Sequence, residues 1–365
     1  MILVNRHTHA GKGPFHATLR IKPASRVDLI DVRGKLREEF GSDFTRYPKA
    51  FYISDHTTAG YLDQRLAKVL EHDSSNIQDY LQVFLKLFPP DADYRHDKLH
   101  LRTELSEQQR AVEPRNADSH LAFMGSGLRS ATSYELRGDE PVWFVELDGV
   151  HVGGTRRRRT TVIAYTGEDE VARMQVTLPA SPRSIDAQNL RDPALGLIGQ
   201  LEGLARKHRV AFGRFEISLP LEERNAGLTV NEYETLLMTH DLRDVLRDPL
   251  RFAAQIGREA LQAPRAIPAK VLNYAQYDVV QVFNKLMDQV GARRSLVERV
   301  VNRALALPVS HFLRMKRAIS LPILDRQGDG VGEIGWGTYQ SPILVQWKGA
   351  AGSSRTLNVR LYRFV

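Results

Sequence analysis

The sequence contains no cysteine among its 365 residues. Disulfide bonds, thiolate metal sites and a cysteine nucleophile are therefore excluded, and a metal ion would need histidine, carboxylate or carbonyl ligands. Long apolar runs are also missing, since no stretch approaches the roughly 20 residues of a membrane-spanning helix. The N-terminal sequence MILVNRHTHAGKG turns polar after four residues, which is too soon for a signal peptide. We expect a cytoplasmic protein without a membrane span.

Positive charge is in excess, with a formal net charge of +8, and its densest run is the four arginines at 156–159, just ahead of a strand-like segment. Guanidinium groups pair well with phosphate oxygens, so a small phosphorylated ligand explains the run as well as a nucleic-acid backbone does. An edge strand that carries charge to prevent pairing is an equal alternative. No nucleic-acid-binding motif accompanies the charge, and 43 acidic residues offset the 51 basic ones, so nucleic acid is an unfavoured partner.

Four stretches from the first part of the chain recur, in the same order, in the second part. The pairs are 19–26 with 176–183, 51–64 with 214–232, 118–128 with 309–324, and 142–165 with 342–362. Each pairing is weak by itself, but the shared order indicates a duplication. We predict domains at 1–167 and 172–365, with a linker at 166–172.

Strands and amphipathic helices alternate within each half without the regular βαβ rhythm of a parallel sheet. Helical spacing of apolar residues occurs at 26–40, 59–72 and 76–88, and the second half adds a mostly helical insertion at about 241–306. The prediction is an α+β fold. It consists of two tandem domains with mainly antiparallel sheets packed with helices, and the second domain carries the insertion.

Three histidines, His56, His96 and His120, lie in polar surroundings far apart in the sequence. Three imidazoles meeting at one point would leave an open position on a zinc-like metal. The chain has 12 histidines, however, and a single histidine is usually an ordinary core or surface residue. Thr57 and Thr58 would either donate to a bound anion or cap a helix beginning near Ala59.

The ordered motifs HTTAG, DADYRH, NADSHL followed by GSGL, and ELDG followed by arginines resemble the YjbQ family, also called the secondary thiamine-phosphate synthase family. The resemblance covers about 15–167. It implies a small α+β domain that forms trimers, with histidines around a pocket for a metal or an anion. Carried over residue by residue, it implicates His56, Thr57, Thr58, His96, Asn116, His120 and Ser126. It also implies a divalent metal, zinc or magnesium, held by His56, His96 and His120.

The two halves depart from the family pattern in complementary ways. The first half has YLDQ and RGDE where the family has an Asn-Glu-Asn segment and GTWQ. The second half lacks the leading histidine but has LTVNE at 228–232, GTYQ at 337–340 and a counterpart of the SHL segment around His311. Each half keeps what the other has lost, which predicts one composite site between the repeats. The second-half members of this site are Asn231, Glu232, Thr338, Tyr339 and Gln340.

The activity implied by the resemblance is that of a thiamine-phosphate synthase-like transferase, in which a pyrimidine diphosphate loses pyrophosphate to an attacking thiazole nitrogen. Such a site must chiefly neutralise a departing polyanion, work that suits Arg156, Arg158, the threonine hydroxyls and a divalent metal. Glu146 or Glu232 would bind the metal or accept a proton. The predicted catalytic residues are His56, Thr57, Thr58, Glu232 and Gln340, and the predicted ligand-binding residues are Asn116, Ser126, Arg156, Arg158, Asn231, Thr338 and Tyr339.

Three alternatives to that transferase stay open. The protein could be a noncatalytic metal- or anion-binding module, a scaffold in which both copies have decayed, or a different enzyme acting on phosphate esters. In each catalytic case we expect a small phosphorylated substrate. The family analogy further predicts a homo-oligomer, with the trimer as its model.

Overall fold

The structure is a computed structural model that describes residues 3–6, 13–151, 154–248, 251–252, 315–350 and 352–365. Most of the predicted insertion at 241–306, and His311 as well, therefore fall outside the described residues. Contacts divide the chain into two units, and each unit takes segments from both halves of the sequence. The strand-rich unit comprises 1–66, 127–233 and 315–365, and the helical unit comprises 67–126 and 234–314.

The elements follow one another in a similar order in the two halves. Those of the first half are β1 (Leu3–Arg6), β2 (Phe15–Ile21), β3 (Asp28–Asp31), α1 (Val32–Phe40), α2 (Ser42–Thr45), β4 (Lys49–Ser54), β5 (Ala59–Tyr61), α3 (Gln64–Val69), α4 (Ser74–Leu87), a 3-10 turn (Leu99–Leu101), α5 (Glu107–Val112), α6 (Ala117–Gly125), β6 (Ala131–Glu135), β7 (Trp143–Glu146), β8 (Val150–His151), β9 (Gly154–Thr155) and β10 (Arg158–Tyr165). Those of the second half are β11 (Glu168–Pro179), β12 (Asp186–Asn189), a 3-10 turn (Pro193–Leu195), α7 (Leu197–Lys207), β13 (Gly213–Ser218), β14 (Ala226–Glu232), a π-helical turn (Leu237–Asp241), α8 (Leu242–Arg247), β15 (Ala318–Leu324), β16 (Glu333–Ile334), β17 (Gln340–Gln346) and β18 (Ser354–Phe364).

Four of the five sheets among the described residues form two matching pairs, and the fifth is the two-stranded sheet β8-β9. The two larger sheets have the orders β1-β2-β10-β4-β6 and β11-β18-β13-β15-β16. The three-stranded sheets have the orders β3-β7-β5 and β12-β17-β14. In the larger sheets, β2, β10, β4 and β6 of the first half are adjacent in the same order as β11, β18, β13 and β15 of the second half. In the three-stranded sheets, β3, β7 and β5 match β12, β17 and β14 in the same way. The pairings are antiparallel, so the predicted mixed α+β class with antiparallel sheets is confirmed.

The two halves share apolar core inside the strand-rich unit. One buried cluster joins Phe51 and Ile163 of the first half with Phe212 and Phe364 of the second. The rings of Tyr165 and Phe364 stack with their centroids 4.1 Å apart. Aromatic pairs of this kind add stabilisation beyond the area that they bury. The two sets of strands are therefore packed as one body within this unit.

The helical unit contains the best predicted helix. Residues 76–88 show apolar residues at helical spacing, and α4 buries Ile77, Tyr80 and Phe84 on one face. Asp73 caps the helix, since its carboxylate accepts a hydrogen bond from the Asn76 N–H at 2.9 Å. The helix ends before the proline pair at 89–90, as predicted. No helix among the described residues is both long and apolar enough to cross a membrane.

Two other predicted helices begin later than expected, because a short strand comes first. Asp28–Asp31 pairs with β7, and only from Val32 onward does the chain form a helix. Ala59–Tyr61 is likewise strand β5, paired with β7, and α3 begins at Gln64. Thr57 and Thr58 therefore precede a strand, so the helix-capping explanation of these residues is wrong. Most of the predicted linker is also extended, since Glu168 onward belongs to β11.

Candidate functional site

The polar segment that ends β4 forms a tight loop stabilised by its own side chains. The Ser54 hydroxyl donates to the carbonyl of Ala59 at 2.7 Å and accepts from the backbone N–H of His56 at 3.3 Å. These bonds close the loop over five residues, so that the chain can leave one sheet at Ser54 and join another at Ala59. The consequence is that the His56 side chain is set at the end of a strand.

The His56 ring is held by a hydrogen bond from the neighbouring strand β10. Its Nε2 atom accepts a hydrogen bond from the backbone N–H of Arg159 at 2.7 Å. In a neutral imidazole the proton then sits on Nδ1, which makes that atom a donor. Burial, helped by the positive charges of Arg158 and Arg159, lowers the pKa of His56 to about 3. At neutral pH the ring is therefore an uncharged hydrogen-bond donor.

The four arginines at 156–159 differ in burial and in their bonding partners. Arg158 is buried and donates from Nη2 to Glu146 Oε1 at 2.7 Å and to the Thr58 hydroxyl at 2.9 Å. Arg156 donates to Asp148 Oδ2 at 3.1 Å from Nε, and Arg159 pairs with Asp55. Arg157 is exposed and forms no ion pair with any described carboxylate. The expected alternation along this strand is present, because Arg158 is buried and Arg159 is exposed.

Second-half residues also bond to the loop at 54–59, called the His56 loop below. The Gln340 side-chain amide donates to the carbonyls of Ser54 and His56, both at 2.8 Å. Its oxygen accepts from the Gly337 N–H at 2.9 Å. The Asn231 amide donates to the Thr57 carbonyl at 3.1 Å. Thus two of the five second-half residues predicted for the composite site contact the backbone around His56.

These segments surround a pocket of about 760 Å³ within the strand-rich unit. Its lining is strongly basic, and comprises Arg20, Ile21, Lys22, Asp55, His56, Arg157, Arg158, Arg159, Gly337, Thr338 and Tyr339. Asp55 is the one carboxylate in that lining, and it is already paired with Arg159. Arg20 lies directly opposite Arg159 across the β2–β10 ladder. Like charges placed opposite each other destabilise a sheet, and the pairing of Arg159 with Asp55 offsets this repulsion in part.

Four predicted residues line this pocket, namely His56, Arg158, Thr338 and Tyr339. Three other predicted residues contact the residues that line the pocket. Thr58 bonds to Arg158, and Asn231 and Gln340 bond to the backbone of the His56 loop. Glu232 is half-buried, and its backbone N–H bonds to Asn231 Oδ1 at 2.7 Å. The sequence prediction missed Arg20, Lys22 and Asp55. The signal for the two cations was present in the alternating stretch LRIK at 19–22, which places Arg20 and Lys22 two residues apart, at the end of β2 and just after it.

Thr57 and Arg156 lie in the strand-rich unit outside the pocket lining, and the remaining predicted residues lie in the helical unit. His96 is buried, and its Nδ1 lies 3.3 Å from Glu234 Oε2 while its Nε2 lies 3.2 Å from Asn116 Oδ1. The His120 ring packs edge-on against His96, with centroids 5.3 Å apart. Asp241 accepts hydrogen bonds from the backbone N–H groups of residues 95 and 96, and burial raises its pKa to about 6. The carbonyl of Ser126 accepts from the Tyr80 hydroxyl at 2.7 Å.

The predicted metal site is not supported by this geometry. Among the described residues, no group of three or more His, Asp or Glu side chains is arranged to hold a metal ion. The His56 Nε2 atom is already an acceptor, and the arginine charges around it oppose a cation. No described contact tests the three-histidine site, which stays a prediction.

Comparison with known proteins adds a set of structural neighbours. No protein-family profile and no curated protein matches the chain. A hypothetical protein from Aeropyrum pernix K1 matches with 17% identity over 52% of this chain and 98% of its own, at a TM-score of 0.27. A YbjQ-like protein of unknown function from Sulfolobus solfataricus matches with 13% identity over 54% and 99%, at 0.28. An uncharacterized protein of the YjbQ/UPF0047 family from Clostridium acetobutylicum matches with 13% identity over 52% and 98%, at 0.25.

His56 should stay neutral throughout the ordinary pH range. Because its pKa of about 3 in the folded protein lies below the value near 6.5 of an unfolded chain, the unfolded state binds the extra proton first. Stability should therefore fall as the pH drops from about 6.5 towards 3, by at most about 1.4 kcal/mol per pH unit. The measurement is an NMR titration of the imidazole, with the signal assigned by its loss in His56→Asn. A midpoint near 6.5 for that signal would show that the buried, arginine-flanked setting is wrong.

Proposed function

We propose that this protein binds a small phosphorylated ligand in the basic pocket, and that the pocket is a composite of two diverged copies of one domain. The observation that carries the proposal is the charge of the lining. Five cationic side chains, Arg20, Lys22, Arg157, Arg158 and Arg159, face a single carboxylate. Arginine forks and a lysine ammonium are the usual protein partners of phosphate oxygens.

The matching strand orders of the two halves support the duplication. The composite character is supported by the bonds from Gln340 and Asn231 to the His56 loop, because these cross from one copy to the other. In a fused duplicate each copy can lose part of the ancestral site, provided that the other copy supplies it. The second half has lost the leading histidine and the first half has lost the GTWQ segment, so the two copies would divide the roles of the site between them.

A second buried arginine explains why one pocket, and not two, is proposed. Arg355 donates to Gln346 Oε1 at 3.3 Å and to the Lys348 carbonyl at 2.9 Å. Arg158 has the same kind of partners in the first half, the side chain of Glu146 and the carbonyl of Asp148. Arg355, however, also pairs with Glu223, a residue of the segment that replaces HTTAG. In the second copy the replaced segment thus supplies Arg355 with a carboxylate, whereas in the first copy the corresponding segment places His56 in the lining of the basic pocket.

The roles of the pocket residues follow from their geometry. Arg157, Arg20 and Lys22 have no described carboxylate partner, so they would meet the phosphate oxygens directly. His56 would donate a neutral hydrogen bond from Nδ1. Arg158 is committed to Glu146 and would act by keeping Thr58 and the strand end in place. If the ligand is a diphosphate ester, the same charges would stabilise departing pyrophosphate, which is how the transferase predicted from the resemblance would use the pocket.

Other members of the predicted site are outside this proposal. The metal at His56, His96 and His120, the homo-oligomer and the cytoplasmic location stay predictions. A noncatalytic anion-binding module has the same pocket and differs only in the absence of turnover. The binding of the anion is therefore the first property to establish.

Arg157→Ala should weaken the binding of inorganic pyrophosphate by about tenfold or more, because it removes a charge-assisted pair worth roughly 1.5–3 kcal/mol. The fold should be unaffected, since Arg157 is exposed. Isothermal titration calorimetry on the full chain gives the affinity. The matched control is Arg206→Ala, which removes an exposed arginine from α7, remote in sequence from every pocket segment. Equal affinities for the two variants, or no binding by the unchanged protein, would contradict the proposed function.

A further inference from the structure

The two halves of the strand-rich unit meet through different surfaces. The first half contributes the outer face of its larger sheet, where Phe51 and Ile163 are fully buried. The second half covers that face with side chains near three strand ends, namely Phe212, Leu324 and Phe364. A contact between two different surfaces leaves the counterpart of each unused. Such a contact repeats from chain to chain, as a ring or a filament, unless something stops it.

The strand registers identify the residues on the unused face of the second half. The two buried arginines described above, one at the start of β10 and one near the start of β18, fix the alignment of these strands. Counting five residues on from each of them, Ile163 matches Arg360. Ile163 lies opposite Phe51 in the β4–β10 ladder, and Arg360 lies opposite Glu216 in the β13–β18 ladder. Two charged residues of the second sheet therefore stand where the first sheet has an apolar pair.

This face of the second sheet is a connected set of charges in contact with solvent. The Arg360 side chain is 47% accessible and the Glu216 side chain 26%, with 4.0 Å between their charged atoms. Arg214 extends the set, because it donates to Glu216 Oε2 and to Glu168 Oε2, both at 3.0 Å. Charged residues are depleted from the cores of interfaces, since the loss of hydration often exceeds the attraction between the charges. The face is therefore unsuited to cover by another chain.

The unused strand ends of the first half have changed as well. Counting along the paired strands, Leu324 matches Arg137 and Phe364 matches Gly167. The Arg137 side chain is 78% accessible and pairs with Glu135. Gly167 has no side chain to place against an apolar face. Both surfaces that a second chain would need thus lack the apolar residues that join the halves within one chain.

We propose that the contact between a sheet face and strand ends is made once, inside the chain, and that the charges on the two unused surfaces prevent a second chain from repeating it. The protein is then complete as a single chain, in place of the trimer that the resemblance implies. The composite pocket needs residues of both halves, and the internal contact supplies them. This inference rests on the duplication in the proposed function, and the binding of an anion plays no part in it.

The test gives the second half the apolar pair of the first. Analytical ultracentrifugation of the full chain, at low and high protein concentration, would measure its mass. We expect the unchanged protein to sediment as a single chain of 41.3 kDa at both. Glu216→Phe combined with Arg360→Ile should associate at high concentration, to the mass of two chains or more. The matched control is Glu202→Phe with Arg206→Ile, which makes the same exchanges at an exposed pair on α7 and should stay a single chain.

A further variant separates a specific contact from a merely adhesive surface. Arg137→Leu, added to Glu216→Phe and Arg360→Ile, restores one apolar strand-end residue and should move the association to lower protein concentration. Added to the α7 control, it should have no effect.

Two results would overturn the inference. One is a mass of two or more chains for the unchanged protein, whatever the variants do. The other is a Glu216→Phe and Arg360→Ile variant that sediments like its α7 control, since the charges would then prevent nothing. Failure of the unchanged protein to bind pyrophosphate would instead overturn the proposed pocket alone, because sedimentation is measured without a ligand.

Discussion

Arg158→Met should lower the free energy of unfolding by about 3–5 kcal/mol, the usual cost of leaving one member of a buried ion pair without its partner. The Glu146 side chain is fully buried, and Arg158 is its cationic partner, with a distance of 2.7 Å between Nη2 and Oε1. Methionine keeps much of the side-chain volume but none of the charge. Chemical denaturation monitored by circular dichroism gives the free energy.

The pH dependence of this loss tests its cause. Burial raises the pKa of Glu146, and Arg158 opposes that rise, so removal of Arg158 should raise the pKa further. A carboxyl whose folded pKa lies above its unfolded value loses stability as the pH rises through that range. The deficit of Arg158→Met should accordingly shrink when the pH is lowered from 8 to 5. Glu146 then takes up a proton and no longer carries an unpaired charge.

Two further variants control for the loss of an arginine as such. Arg206→Met removes an exposed arginine, 63% accessible and 4.0 Å from Glu202, and should cost less than about 1 kcal/mol. The double variant Arg158→Met with Glu146→Leu replaces both charges and should recover much of the stability. If Arg158→Met were as stable as Arg206→Met, the pair would contribute nothing and Arg158 would be available to a ligand.

Gly337→Ala should lower pyrophosphate affinity at least tenfold and cost about 1–3 kcal/mol of stability, because the added Cβ atom cannot be accommodated. The new atom would lie 1.7 Å from the Asp55 carbonyl oxygen and 2.6 Å from its carbon, both backbone atoms that no rotamer change can move. The two segments would have to separate. Separation would also break the bonds from Gln340 to Ser54 and His56.

Gly349→Ala is the matched control, since nothing lies within 4 Å of a Cβ atom at that glycine. It should leave affinity unchanged and could add slightly to stability by restricting the unfolded chain. Calorimetry with pyrophosphate and chemical denaturation would be run on both variants. Similar affinities in the two would show that the contact between the GTYQ segment and the His56 loop is not needed for the pocket.

Much of the fold could be predicted because the repeats preserve local pattern. The strand at 15–21 buries every second residue, and α4 has apolar residues at helical spacing between an aspartate cap and a proline pair. Strand β5 could not be predicted, since three residues are too short for a period and the helix that follows dominates the pattern. The two contact units could not be predicted either. Their segments are far apart in sequence, and nothing local indicates which distant segments meet.

The site was predictable where the two copies differ in a complementary way. The absence of GTWQ from the first half and the presence of GTYQ in the second pointed to Gln340, which contacts the His56 loop. The partner of each arginine could not be predicted, because four consecutive identical residues carry no signal that distinguishes them. Arg158 is committed to Glu146, whereas Arg157 faces the pocket, because strand alternation and the positions of distant carboxylates decide the difference. The resemblance predicted His56 as a metal ligand, and the sequence could not show that arginines surround this histidine, because the β4–β10 pairing brings them together.

The most direct measurement is a crystal structure of the full chain grown with inorganic pyrophosphate. We expect electron density for the anion in the basic pocket, within hydrogen-bond distance of Arg157 and at least one of Arg20, Lys22 and the His56 Nδ1 atom. The bonds from Gln340 to the Ser54 and His56 carbonyls should be intact in that complex. A clear empty pocket at a pyrophosphate concentration that saturates binding in solution, or an anion bound elsewhere on the chain, would contradict the composite anion site.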